Sequence, residues 1–331
     1  MTALRTLAEK RGRDLGQVVT GALDYLTGCR RPDGSIAEDP AIRIFQDWDS
    51  VNALKAIGLW PEFATGTHRR TAEAIMDFLR AREKPTGMLS WGVLATGPAD
   101  YCTETSSEYV TALTLAGRGA ECGAKASFLR ARQLPSGPWA EVHPHIPQAF
   151  QTEPSVTGFA AMALTGLDQE PRYLDEMLAF LAGRQQPDGH FGINWYYYGT
   201  YYYLMAPAVA ALAEFGHLTA VARARDFVLS QQRQDGSWFD QIDEFGDYSS
   251  PEQHTAMALE TLAHAGVGVG EPAVARGVDW LLGRVRPDGG WRGGRYPYPD
   301  TDSYRGFHAT QDVFTTARAM SALKLLDGLE A

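Results

Sequence analysis

Apolar positions along the chain alternate between two kinds of stretch. One is amphipathic, with Arg, Glu and Asp between apolar residues at helical spacing. The other is rich in Ala and Leu with little polar interruption. Each amphipathic stretch ends in an aromatic followed by an aliphatic residue. A Gly follows nine residues after the aromatic, and a bulky apolar residue two further on. The aromatics are Tyr25, Phe78, Phe128, Phe180, Phe227 and Trp280, and the glycines are Gly34, Gly87, Gly137, Gly189, Gly236 and Gly289. The bulky residues are Ile36, Leu89, Trp139, Phe191, Trp238 and Trp291. Successive glycines lie 53, 50, 52, 47 and 53 residues apart, so the chain divides into six units of about 51 residues. Each unit predicts an amphipathic outer helix, a tight turn, a variable loop and an Ala-rich inner helix. The inner helices start near Asp49, Thr105, Glu153, Thr200, Pro251 and Gln311. Six hairpins side by side bury their inner faces by closing on themselves. The expectation is an all-α (α/α)6 barrel with almost no strand, filling residues 1–331 as one domain. The turn needs a residue that tolerates positive φ, and the aromatic after it is expected to fold back onto the helix ends.

Composition narrows the class. Of the 331 residues 44 % are hydrophobic and 21 % charged, so neither a disordered nor a membrane-spanning chain is expected. No apolar run approaches the 18 or so residues a bilayer span needs, and the first residues lack a signal-peptide core, so the expected location is the cytoplasm. Cys29, Cys102 and Cys122 form no CxxC pair, which argues against a disulfide framework or a thiolate zinc site. A net charge of -10 argues against a nucleic-acid partner. GxSxG, P-loop and strand-borne GxGxxG motifs are absent, which removes support for hydrolase-elbow, ATPase and dinucleotide-binding readings.

The run from Phe227 through Gln232 to Trp238 resembles the QW repeat of terpenoid cyclases such as the squalene-hopene cyclases. Phe128 to Trp139 with Gln133, and Phe180 to Phe191 with Gln185, are similar. The other three copies carry Arg30, Glu83 and Val285 in place of the Gln. The resemblance implies the helical barrel shared by terpenoid cyclases and protein prenyltransferase β subunits, and a preference for isoprenoid substrates. It does not choose the reaction.

In such a barrel the N-terminal ends of the inner helices surround one mouth, where polar residues converge. Asp47-Trp48-Asp49-Ser50 resembles the DxDD motif of class II terpene cyclases with its last Asp changed to Ser. The resemblance implies Asp49 as the acid that protonates an alkene, Asp47 as its partner and Trp48 beside the substrate. An apolar pocket keeps such a carboxyl protonated. The alternative is that Asp49 or Ser50 is an N-cap. Trp195, Tyr196, Tyr197, Tyr198, Tyr201, Tyr202 and Tyr203 offer π faces to a prenyl chain and its cations, with Trp195, Tyr198, Tyr201 and Tyr202 as candidate lining residues; subunit packing is the other reading. Glu104, Glu108, Glu153 and Asp312 are expected at the same mouth, and Arg295, Arg305 or Arg318 would pair with them or bind a diphosphate. His143 and His145 are expected to face solvent.

Glu252, His254 and His308 resemble in position the zinc set of prenyltransferase β subunits, with His in place of the family's Cys. A metal-free polar cluster is the other reading. The leading expectation is an isoprenoid-processing enzyme without cofactor, with magnesium present if the substrate carries a diphosphate. The alternatives are a zinc-dependent prenyltransferase-like subunit and a non-catalytic lipid- or protein-binding barrel. One barrel has one mouth, so closure by a homo-oligomer, a helical partner subunit or the barrel's own loops is expected.

Overall fold

The computed structural model describes residues 2–37, 45–90, 92, 101–142, 148–194, 198–240, 249–297 and 308–329. Helix α1 (Ala3–Lys10) leads into six helical hairpins. The outer helices are α2 (Leu15–Gly28), α4 (Gly66–Arg82), α6 (Gly123–Arg132), α8 (Leu174–Arg184), α10 (Leu218–Ser230) and α12 (Pro272–Gly283). The inner helices are α3 (Gln46–Leu59), α5 (Thr103–Leu115), α7 (Pro154–Thr165), α9 (Tyr202–Glu214), α11 (Pro251–His264) and α13 (Asp312–Gly328). Among the described residues the only strands are β1 (Arg295–Pro297) and β2 (His308–Thr310), an antiparallel pair. No helix among these residues is long and apolar enough to cross a membrane.

The local sequence accounts for these elements. Asp14 caps α2 by accepting from the amides of Gly16 and Gln17, and α7, α11 and α12 each open on a Pro, whose missing N–H costs nothing there. The outer helix α2 buries Leu15, Val19, Ala22, Leu23 and Leu26, one stripe at helical spacing. The inner helix α11 is buried continuously from Glu252 to Ala263. Each inner helix packs on the next, and α13 packs back on α3, so the ring is closed. This is the expected (α/α)6 architecture.

The repeated motif is the joint. All six turn glycines have φ between +76° and +110°, and five of them press on the backbone of the next outer helix. A Cβ on Gly137 would lie 2.3 Å from the Glu176 carbonyl of α8, and one on Gly289 would lie 2.1 Å from the Gly21 carbonyl of α2. The last turn thus docks on the first outer helix. The amides of Gln133, Gln185 and Gln232 donate both to their own turn glycine's carbonyl and to a carbonyl at the start of the next outer helix, that of Tyr173, Ala220 or Ala273. The indole N–H groups of Trp139, Trp238 and Trp291 donate to Leu129, Val228 and Leu281 of their own outer helices. Their backbone N–H groups donate to the hydroxyls of Thr157, Thr255 and Thr316 on the inner helices.

Candidate active site

Ser50 belongs to this joint. Its Oγ accepts from the Ile36 amide at 2.9 Å, as Ser106 Oγ does from Leu89. The N-cap alternative for Asp49 and Ser50 is corrected. Helix α3 begins at Gln46, its cap is Phe45 without a side-chain bond, and both residues lie within the helix. Asp47 is 1 % exposed and accepts from Arg82 Nε of α4 at 2.7 Å. Burial pushes its carboxyl up to about 6 against the pull of Arg82. Successive helical side chains turn by about 100°, and the one that α3 sends toward the barrel axis is Trp48. It stacks on Phe314 of α13 (5.8 Å, 28°) and meets Phe159 of α7 edge-on at 6.5 Å. Asp49 is buried on the flank of Trp48 opposite Asp47.

The rings meeting around Trp48 come from several inner helices. Tyr198, just before α9, stacks on Phe314 at 4.9 Å and lies 4.2 Å from Tyr203, which in turn lies 6.0 Å from Phe159. Phe159, Tyr203 and Phe314 were not among the residues singled out as lining, although Phe314 and Arg318 stand at the i, i+4 spacing that puts two side chains on one helix face. Tyr202 is fully buried and edge-on to His254 at 5.9 Å, between α9 and α11. The expectation that Tyr201 lines the chamber is corrected: its ring turns outward to His190 (4.7 Å) and Phe227 of α10 (5.3 Å). Trp195, Tyr196, Tyr197, His143, His145 and Arg305 lie outside the described residues.

Carboxyls edge the aromatic floor. Glu104, in the first turn of α5, accepts from Ser155 Oγ of α7 and from Tyr203 Oη of α9, each at 2.6 Å. Burial raises its pKa, opposed by the two hydroxyls and by Arg318. Glu153, at the N-cap position of α7, accepts from Asn194 Nδ2 at 2.7 Å, and burial with the nearby Glu104 charge pushes it up to about 8. Glu141 was missed, because its turn carries no local sign of a role. It accepts from the amides of Thr103 (2.6 Å) and Glu104 (2.8 Å) at the head of α5, and burial together with Glu104 also pushes it up to about 8.

One helical turn deeper lies a charged layer. Glu108 accepts from Lys55 Nζ at 2.7 Å and lies 3.4 Å from Arg318, whose other nitrogen is 3.6 Å from Glu260. Burial pushes Glu108 up, yet the Lys55 and Arg318 charges hold it below its ordinary value. The Arg318 guanidinium faces the Phe159 and Phe314 rings at 5.4 and 5.2 Å. Arg318 thus pairs with buried carboxylates, one of the two roles foreseen for it.

Asp312 stands apart from this chamber, which corrects its expected place. It pairs with Arg286, accepts from the Gly293 amide, and lines a rim groove of about 500 Å³ with Glu252, Arg284 and Arg292. Glu252 and His254 therefore diverge, one toward this groove and the other buried, with its Nδ1 accepting from the Asp240 amide. Burial lowers His254 to about 3. Among the described residues no three His, Cys, Asp or Glu side chains are grouped to hold a metal, and the His308 side chain lies outside them.

Comparison with known proteins adds to this geometry. The family model of the squalene-hopene cyclase C-terminal domain matches residues 153–324. Drimenyl diphosphate synthase of Streptantibioticus cattleyicolor is 28 % identical over 317 residues, 88 % of this chain and 54 % of that protein. A squalene-hopene cyclase of Zymomonas mobilis is 31 % identical over 173 residues, 47 % of this chain and 26 % of that protein. The chain thus spans about half, or less, of the length of these relatives. A variant of the type II terpene cyclase MstE from Scytonema, solved in complex with geranylgeranyl dihydroxybenzoate, superposes with a TM-score of 0.72 at 17 % identity, covering 97 % of this chain and 99 % of that one. A glycosidase variant superposes at 0.62 and 14 % identity over 97 % of this chain and 99 % of that one. At these identities the structural likenesses show the fold alone.

Proposed function

Because the chain belongs to the squalene-hopene cyclase C-terminal domain family, we propose that it is a protonation-initiated, class II terpene cyclase-like enzyme acting on an isoprenoid in the chamber over Trp48, Phe159, Tyr198, Tyr203 and Phe314. The observation that carries the reading is the contact between this aromatic floor and a half-buried carboxyl, Glu104 against Tyr203 at 2.6 Å. The two halves of the chemistry need those two parts. A carboxyl held protonated by burial delivers a proton to an alkene. The tertiary cation that results is stabilised by ring faces, by about 2 kcal/mol per desolvated ring. The motif at the head of α3 adds Asp49 and Asp47 as further carboxyls beside the floor. Loss of a proton or capture of water then ends the reaction, giving a cyclised, isomerised or hydrated product.

The reaction as proposed needs no resident cofactor, and magnesium would accompany only a diphosphate-bearing substrate. One barrel suffices for this reading, since the superposable type II cyclase chain is covered to 99 % by this one. The diphosphate named for the drimenyl relative makes linear prenyl diphosphates the first substrates to try, with polyprenes beside them.

The test is conversion of such a panel in deuterated water, followed by mass spectrometry. The expected product carries one solvent-derived deuterium at the carbon first protonated. Conversion without deuterium, or binding without any conversion, would overturn the reading; the latter would leave a lipid-binding barrel.

A further inference from the structure

We infer that Asn194, buried in the connection before α9, is a positioning residue: it fixes the Tyr198 ring in the floor of the chamber and through that ring steers the cation, an assignment that rests on the cyclase reading above. Four of the five floor rings ride on inner helices, Trp48 on α3, Phe159 on α7, Tyr203 on α9 and Phe314 on α13. Their directions follow from the helices that carry them. Tyr198 has no such support, because α9 begins only at Tyr202. It is nonetheless buried, its ring 4.2 Å from Tyr203 and 4.9 Å from Phe314. The connection itself must therefore hold it.

Asn194 supplies the hold. Its backbone N–H donates to the Thr200 carbonyl at 3.0 Å and its carbonyl accepts from the Gly199 amide at 2.8 Å, so the two sides of the connection are paired. Its side-chain Oδ1 accepts from the Tyr198 amide at 3.2 Å, and its Nδ2 donates to Glu153 Oε2 at 2.7 Å. Asn194 and Thr200 are both fully buried, and Thr200 Oγ1 in turn accepts from the Tyr202 amide at 3.1 Å. Glu153 stands at the N-cap position of α7, the helix that carries Phe159. The Tyr198 backbone is thus tied to α7 on one side and to α9 on the other, the two helices whose rings, Phe159 and Tyr203, lie 6.0 Å apart.

A carboxamide suits this place because it has one accepting and one donating end. The accepting end meets an N–H and the donating end meets a carboxyl, so both partners demand the same orientation. Ala offers neither bond. Asp keeps the acceptor for Tyr198 but sets a second oxygen against Glu153. Asn194 acts on the chemistry only through the Tyr198 ring, whose attraction for a cation falls with distance. A misplacement of about 1 Å can cost up to about 100-fold in rate. A displaced ring also changes which carbon holds the positive charge longest, and so which proton is lost.

The experiment measures kcat, KM and product ratio on an isoprenoid that wild type converts. The variants are Asn194→Ala, Asn194→Asp, Tyr198→Leu, which removes the ring but keeps apolar bulk, and the two doubles that combine each Asn194 variant with Tyr198→Leu, with thermal unfolding recorded for each. Asn194→Ala is expected to lose about 10- to 100-fold in kcat at a KM within about threefold of wild type, and to shift the product ratio. Asn194→Asp is expected to lose less. On the Tyr198→Leu background either Asn194 substitution should change kcat by less than about twofold and leave the product ratio as it is, because the ring it acts through is gone. If Asn194→Ala fails to fold, the Asn194→Asp cycle decides by itself, and an Asn194→Asp variant indistinguishable from wild type then overturns the assignment. A kcat for Asn194→Ala within about threefold of wild type with an unchanged product ratio, or losses that multiply in the double variant, overturns the assignment while the cyclase reading stands. A wild type that converts no isoprenoid overturns both.

Discussion

Replacing Gly289 by Ala puts one methyl group into the seam where the ring closes. At φ +91° a β-carbon is strained, by about 1–2 kcal/mol. That methyl would also stand 2.1 Å from the Gly21 carbonyl oxygen and 2.4 Å from its carbon. Both are backbone atoms of α2, so no rotamer relieves the clash and a helix must move, at about 1–3 kcal/mol. The sum is about 2–5 kcal/mol. Gly12→Ala supplies the reference: its φ is +68°, and nothing lies within 4 Å of its would-be Cβ. It carries the dihedral cost without the clash, about 1–2 kcal/mol. Equilibrium urea unfolding measures both. For 331 residues the unfolding entropy is about 0.7 kcal/mol/K, so Gly289→Ala should also lower Tm by about 3–7 °C. Equal losses for the two variants, within about 0.5 kcal/mol, would refute the account of the turn as a joint that docks on the next outer helix.

Arg318→Met removes the shared cation of Glu108 and Glu260 and should cost about 3–5 kcal/mol in chemical denaturation, because Glu108 then keeps Lys55 while the buried Glu260 loses the Arg318 pairing. Glu153 ordinarily titrates at 4.5 and is pushed up to about 8 in the fold. The folded protein therefore holds the extra proton, and the stability Glu153 contributes is complete below pH 4.5 and lost as pH rises through about 8. Tm recorded against pH should fall across that window, and Glu153→Gln should fall less steeply. Gln185→Ala breaks the bridge from its own turn to Ala220 of the next outer helix and should cost about 2 kcal/mol by urea unfolding, two bonds at about 1 each.

The fold was legible because its signals are local and repeated. The nine-residue offset and the turn glycine state the same backbone geometry six times, and each inner helix announces itself by small residues on every face. The site was legible in its chemistry but only partly in its address. Glu104, Glu108 and Glu153 stood out as acids at inner-helix starts, and they do meet. Which of three neighbours faces the axis depends on helix phase, and a short motif does not carry phase. Hence Tyr203 takes the place expected for Tyr201. Asp312 sits at an inner-helix start like the others, yet Arg286, in direct contact though 26 residues away in sequence, draws it to the rim. Glu260 gave no signal, since a mid-helix Glu becomes a site residue only once Arg318 of another helix lies against it.

The two ends of the described chain meet, α1 lying against the end of α13. Thr2 Oγ1 donates to Asp327 Oδ1, and Arg5 lies 3.2 Å from the same carboxylate. Since the sixth turn docks on α2 much as the earlier turns dock on their successors, the order of the hairpins around the ring is cyclic. A circular permutant, with its old ends joined across that contact and new ends cut in the connection between α3 and α4, keeps every hairpin and every docked turn.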